Sequence, residues 1–390
     1  MGPRKYFLDW LRVIAFGLLI LYHVGCLYAT WPYNLQSPRN GSGIEWLLLA
    51  LTPWRMALLF LISGVASRYL LVKLGPGGLA LDRLRRLLPV LLFAMFVVIP
   101  PQTYVELLDK GLTHQDYLHF WLFSYLAADQ TLVAPLHKTM PTYDHLWFLV
   151  YLLIYALVLA FVAGVAGFLG GVFGVQRRSP VDRWRLPLWL LLTAPALWLI
   201  GAIFVMERIR PATYWPGNDW GSHLKWAGMF ATGVLLAVHD EYWDWVRRRR
   251  LALALVAVLF LVLQSINRAV WLTGLADPVW SAALWSIASG LYAWTIIGAL
   301  AGYAGRYLNH PSALLSHLNE AILPVYVLHQ PILLVAAYLM FPLRLPLTEE
   351  AAVLIAVTAF GSLAVYEIAI RPLAVTRFLF GLKPRVRPAV

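Results

Sequence analysis

Cysteine is all but missing from this chain. The single Cys26 excludes an internal disulfide and any metal site built from cysteines. Charge is scarce as well: Asp, Glu, Lys and Arg make up 13% of the 390 residues, where soluble domains carry ~25%. Acidic residues are the scarcer sign, 19 against 31 basic ones. A soluble globule is therefore excluded. The net charge of +12 would suit a nucleic-acid binder if it formed one stripe. Lys and Arg fall instead in short clusters between apolar runs, so nucleic acid is not an expected partner. Also missing are an internal repeat, a soluble domain and, behind the first apolar run, a small-residue cleavage site, so that run is expected to stay in the protein.

What fills the chain is apolar. Hydrophobic residues reach 61% and Trp alone numbers 18, and the mean hydropathy is +0.70. About 20 apolar residues at ~1.5 Å rise cross a hydrocarbon core of ~30 Å. The runs of that kind lie at 7–30, 46–72, 84–104, 146–174, 186–206, 222–240, 250–274, 279–307, 319–341 and 350–376. The expected fold is all-α, a single membrane-embedded domain over 1–390 with ten spans in a lipid bilayer. One set of loops collects Arg4 and Lys5, then Arg68, Lys73, Arg83, Arg85 and Arg86, then Arg177, Arg178, Arg183 and Arg185, then Arg247 to Arg250, then Arg306, and finally Arg371, Arg377, Lys383, Arg385 and Arg387. By the positive-inside rule that side is cytoplasmic and holds both termini, which requires an even number of spans. The longest connection, 100–144, then lies outside. Within it, YLHFWLFSYL at 117–126 is too short to cross and is expected to lie in the interface or to re-enter.

Against this apolar ground a few polar residues stand out. Arg12 and His23 sit eleven residues apart in the first run, so on a helix they project from nearly one face, ~16 Å apart along the axis. Ionisable groups inside a span cost several kcal/mol and by default line a functional cavity. Arg83 and Arg86 share a helix face at the cytoplasmic surface and suit phosphate through forked hydrogen bonds; the plainer reading is a topological anchor. Arg55 lies near the outer end of the second run. Ser63 and Gly64 lie mid-run, where small residues signal close packing, and no nucleophile elbow surrounds Ser63. Asp144 and His145 open the fourth run at the outer face, followed by Trp147; a helix cap and a belt aromatic are the ordinary readings of Asp144 and Trp147. His329 stands between Pro324 and Pro331, and prolines inside a span free carbonyls that need partners, as along a cavity wall. No two of these histidines have metal-ligand spacing, so no metal is expected.

Taken together these elements resemble the membrane-bound acyltransferase-3 family. Its first-span signature, an Arg, ten residues and a His, is met by Arg12 and His23. Phe60 to Gly64 is similar to its Phe-x-x-Ser-Gly, Arg83 to Arg86 followed by Pro89 to its Arg-x-x-Arg, DHLWFL to its His-x-Trp element and YVLHQPI to its late Tyr-x-Leu-His-x-Pro-Ile element. HLWFL and the second-span wording resemble the branch with the glucan-modifying succinyltransferases, in a stand-alone form without the optional periplasmic hydrolase-like domain. The resemblance implies O-acylation, such as O-acetylation, in a cell envelope at a bacterial-type inner membrane. The acyl group would pass from cytoplasmic acyl-CoA, a co-substrate rather than a bound cofactor, to a hydroxyl of a carbohydrate or glycan acceptor at the outer face. On that reading Arg83 and Arg86 bind the donor, Arg12 flanks its pantetheine arm, and His23 is the general base or an acyl carrier. Asp144, His145, Trp147 and His329 would face the acceptor, and Arg55 would suit a succinyl carboxylate. Cys26, three residues past His23, points ~60° away on the helix and has no basic neighbour to activate it. The alternative is a secondary transporter using the same Arg/His path. Against it, acidic residues are nearly absent mid-membrane: Asp9, Asp144 and Glu320 lie near surfaces and Glu367 is the exception.

Overall fold

The computed structural model describes residues 4–136, 138–172 and 186–384. The cationic positions Arg177, Arg178, Arg183, Arg185, Arg385 and Arg387 lie outside them. Among the described residues there are helices and no strands. The long ones are α1 (Tyr6–Leu27), α2 (Glu45–Phe93), α3 (Pro100–Asp109), α4 (Trp147–Val172), α5 (Leu188–Arg208), α6 (Trp220–Leu236), α7 (Asp240–Leu272), α8 (Pro278–Tyr307), α9 (Ala313–Met340) and α10 (Leu347–Val365), before the short α11 (Ala374–Leu379). Among the described residues eight segments are long and apolar enough to cross a membrane. The difference from ten arises at two places. The second and third expected spans run together over Glu45–Asp109, broken inside α2 only at Gly75, whose φ of 73° lies in the left-handed region that glycine enters without cost. The sixth, α6, has 17 residues, short for a full crossing. Arg247 to Arg250, expected in a loop, belong to the first turns of α7.

By internal contacts the chain forms two compact units. Unit 1 comprises Met1–Ala15, Leu49–Arg83 and Tyr151–Leu315. Its helices approach closely at small residues. A Cβ on Gly64 would stand 2.0 Å from the Phe230 carbonyl oxygen, and one on Gly233 1.9 Å from that of Leu61, so α2 and α6 meet backbone to backbone as small residues in spans permit. The polar groups at the start of α6 are satisfied locally. Asp219 caps α6 and accepts from Tyr151 Oη at 2.5 Å and from the Tyr214 amide at 2.9 Å. His223 donates from Nε2 to the Pro216 carbonyl at 2.8 Å and meets Tyr155 Oη through Nδ1 at 3.0 Å.

Unit 2 comprises Phe16–Leu48, Leu84–Val150 and Ser316–Val390. Its core joins Val24, Leu27 and Leu35 to Val105 of α3, to Leu333, Leu334 and Ala337 of α9 and to Leu354 of α10. Prolines shape it. Pro100 and Pro101 have no N–H to offer the carbonyls of Met95 and Phe96 one turn earlier, where the chain winds as a π-turn over Ala94–Val98. Side chains replace the missing donors: Tyr125 Oη donates to Met95 O at 2.9 Å and Trp121 Nε1 to Phe96 O at 2.8 Å. Thus the 117–126 segment, too short to cross, is fixed in place by two carbonyls that the sequence leaves open. The loop after α1 is pinned in a similar way, with Tyr28 Oη donating to Glu350 Oε1 at 3.0 Å and Arg39 paired to Glu350 Oε2 at 2.6 Å.

Candidate active site

Pro331 also lacks an N–H, and the carbonyl it leaves without a helical partner is that of Val327. His145 fills the gap: its Nε2 lies 3.2 Å from Val327 O. A carbonyl only accepts, so Nε2 carries the proton and Nδ1 keeps the lone pair. In return Tyr326 Oη donates to the His145 carbonyl at 2.5 Å. His329 Nδ1 stands 2.6 Å from Tyr326 O, which by the same logic puts its proton on Nδ1 and its lone pair on Nε2. Both rings are buried, and their centroids are 5.3 Å apart.

On the other side of His329 lies His23, ring to ring at 5.2 Å. The half-buried His23 has Nδ1 2.7 Å from Tyr33 Oη. Tyr33 belongs to the turn after α1, where burial, then neighbouring acidic groups that include Asp144 and Glu106, push its phenol well above the usual range. It therefore stays protonated. A phenol both donates and accepts, so it accommodates either tautomer of His23. Three imidazoles from α1, the start of α4 and α9 thus form one cluster inside unit 2.

Beside it lies a network of buried charge. Glu106 of α3 is 2% exposed, and its Oε2 receives Lys138 Nζ at 2.6 Å and Asn34 Nδ2 at 2.9 Å. The same two donors reach Asp144 Oδ2 at 3.3 and 3.4 Å, while Gln330 Nε2 reaches Asp144 Oδ1 at 3.2 Å. Burial alone would lower the Lys138 ammonium, but Asp144 and Glu106 outweigh it and hold it above its ordinary value.

Of the residues singled out in the sequence, the structure brings His23, His145, His329 and Asp144 together, with Trp147 half-buried two positions after His145. Arg86 belongs to the same unit and donates from Nε to the Gly381 carbonyl at 3.3 Å. Arg12, Arg55 and Arg83 belong to unit 1. There Arg12 pairs with Asp9 at 3.6 Å, Arg55 is buried, and Arg83 donates to Ser67 Oγ at 3.2 Å. Glu367 is half-exposed and pairs with Arg371 at 2.7 Å and His317 at 2.9 Å.

Sequence reasoning missed Tyr33, Asn34, Glu106, Lys138 and Gln330. For Glu106 the signal was present, a carboxylate between Val105 and Leu107 in an apolar stretch. For Lys138 there was none, because Glu106 lies 32 residues away in the chain and Asp144, six residues on, reads as a helix cap.

Compared with known families, residues 5–367 match the acyltransferase-3 family, described as an acyltransferase domain. Searches of curated proteins and of solved structures gave no match.

Proposed function

The chain belongs to the acyltransferase-3 family, and on that premise we propose that this multi-pass membrane acyltransferase takes its acyl group, acetyl or succinyl, from cytoplasmic acyl-CoA. The acceptor is a hydroxyl of a carbohydrate or glycan at the outer face, in a bacterial-type inner membrane. The observation that carries the reading is the 2.7 Å contact of His23 Nδ1 with Tyr33 Oη beside His329. With Nδ1–H donated to Tyr33, the basic lone pair of His23 sits on Nε2. As the acceptor oxygen attacks the thioester carbon, its proton passes to Nε2; the C–S bond then breaks, and the imidazolium returns the proton to the departing CoA sulfur. His145 Nδ1 and His329 Nε2, both acceptors by virtue of their carbonyl bonds, suit the O–H donors of a polyol and not a carboxylate. Trp147 would offer a ring face to a sugar. Arg83 and Arg86 would bind the nucleotide end of the donor, Arg12 its arm, and Arg55 the carboxylate of a succinyl group.

The transporter reading gains no support from the buried acids, since Glu106 and Glu350 are paired with Lys138 and Arg39 and Glu45 accepts from the Thr30 amide at 3.1 Å. The test is to incubate purified protein with radiolabelled acetyl-CoA and succinyl-CoA. Time-dependent loss of label from one of them, by hydrolysis or transfer, is the expected result; two inert donors would sink the acyl-CoA reading.

A further inference from the structure

Tyr33 and His329 lie against the His23 ring, and His145 lies against His329. Each of the three has a chain neighbour whose side chain enters one buried charge cluster. Asn34, next to Tyr33, bridges Glu106 and Asp144. Gln330, next to His329, donates to Asp144. Asp144 itself precedes His145, and its backbone is held at φ 36°, in the left-handed region that a non-glycine residue occupies only when its surroundings enforce it.

At the centre is Lys138 Nζ, which contacts the same two oxygens, Glu106 Oε2 and Asp144 Oδ2, that share the Asn34 amide. Two carboxylates in such a place repel, and one of them takes up a proton unless a cation separates them. Lys110 reaches only the far oxygen, Glu106 Oε1, at 3.1 Å.

We infer that Lys138 is a positioning residue: by keeping Glu106 and Asp144 both ionised side by side, it holds Asn34, Gln330 and the backbone before His145 at one point, and with them the rings of Tyr33, His329 and His145 about His23. The inference rests on the reading of the histidine cluster as the reaction site. The titratable and charged groups about Asp144 among the described residues are Lys138, His145, Tyr33, Tyr125 and Tyr326, with Glu106 sharing its lysine, and the amides are those of Asn34 and Gln330. Lys138 touches no reacting atom on this account. Its removal should lower kcat through misplacement, which at the ångström scale costs about 10²-fold, and should leave KM for the acyl donor within about twofold.

The experiment compares Lys138→Met, Lys138→Arg, Glu106→Gln/Lys138→Met and His23→Ala in the full-length protein in detergent or nanodiscs. Lys138→Gln replaces the Met variant if that one does not accumulate. In Lys138→Met the acid limb of the kcat profile should move to higher pH, because the two carboxylates now retain a proton between them. The infrared carbonyl band of a protonated buried carboxylic acid should appear at neutral pH. Both effects should recede in Lys138→Arg and in the double variant, where a single carboxylate has no like charge to avoid. A Lys138→Met enzyme with the wild-type profile and no acid band overturns the proposal, and so does a loss that neither Arg nor the second substitution relieves. Should His23→Ala retain turnover, the assignment of the site fails, whereas the infrared band still decides the charge clamp.

Discussion

A histidine's chemistry depends on which nitrogen holds the proton, and here backbone carbonyls make that choice for two of the three rings. Pro331 is the cause in one case, since it leaves Val327 O open for His145 Nε2. Pro331→Ala would give that carbonyl a backbone N–H one turn on. The helix should gain stability, visible as an unchanged or higher Tm, while His145 loses its acceptor and turnover falls at least tenfold; turnover unchanged at a raised Tm would show that the Val327 bond does not matter for the reaction. His23→Ala removes the proposed base itself. Turnover should fall by ~10² to 10⁴-fold with acyl-CoA binding retained, as measured by calorimetry, and a variant keeping more than about a tenth of wild-type turnover would contradict the role. The histidines and the two prolines were legible in the sequence one by one, because ionisable groups and helix breakers in apolar runs are conspicuous. Their convergence was not. Tyr33 comes to His23 through a turn that no periodicity describes, and Lys138 acquires its meaning only from Glu106 and Asp144, 32 and 6 residues away.

At the level of elements, hydropathy showed that the chain is a series of apolar helical runs but did not show how they join. Ending the third span at 104 put Glu106 into an outer loop, whereas α3 continues to Asp109 and carries Glu106 into the core of unit 2. The reason is local: a π-turn followed by two prolines reads as a helix end, and here it is a hinge between helices whose open carbonyls are closed by Trp121 and Tyr125. Tyr125→Phe leaves Met95 O with its partner removed in a buried place, at a cost of about 1–3 kcal/mol. A drop in Tm is the expected outcome of thermal unfolding in detergent, and an unchanged Tm would mean that another donor serves that carbonyl. Packing at Gly64 was legible in kind, since a small residue mid-span predicts close approach. The identity of the surface it meets, Phe230 of α6, was not. Gly64→Ala should reduce the yield of folded protein, because a methyl group there meets backbone and not a side chain that can swing away.

For the molecule as a whole, the distribution of charge carries the functional argument. On the proposed reading the positive clusters put both termini and the stretch of α2 that carries Arg83 and Arg86 on the cytoplasmic side, the side from which acyl-CoA would come. On the same reading His23, some 16 residues into a span that starts near Phe7, would lie ~24 Å deep in a core of ~30 Å and in its outer half. The proposed function, with a donor bound from inside and a base in the outer half, requires acyl transfer to cross the membrane. Two measurements address the two ends of that path. Arg83→Ala with Arg86→Ala should weaken acyl-CoA binding, and the loss should shrink for a pantetheine thioester that lacks the nucleotide; equal losses for both donors would reduce the pair to a topological anchor. In sealed vesicles of known orientation, acyl-CoA supplied only at the cytoplasmic face should label a carbohydrate acceptor enclosed only at the opposite face, with CoA itself recovered where it was added. Since neither compound crosses the bilayer unaided, label on the far side requires a thioester end presented at the depth of His23. If label appears only when donor and acceptor share the cytoplasmic side, the path through the membrane is wrong, and the deep placement of His23 would need a different cause.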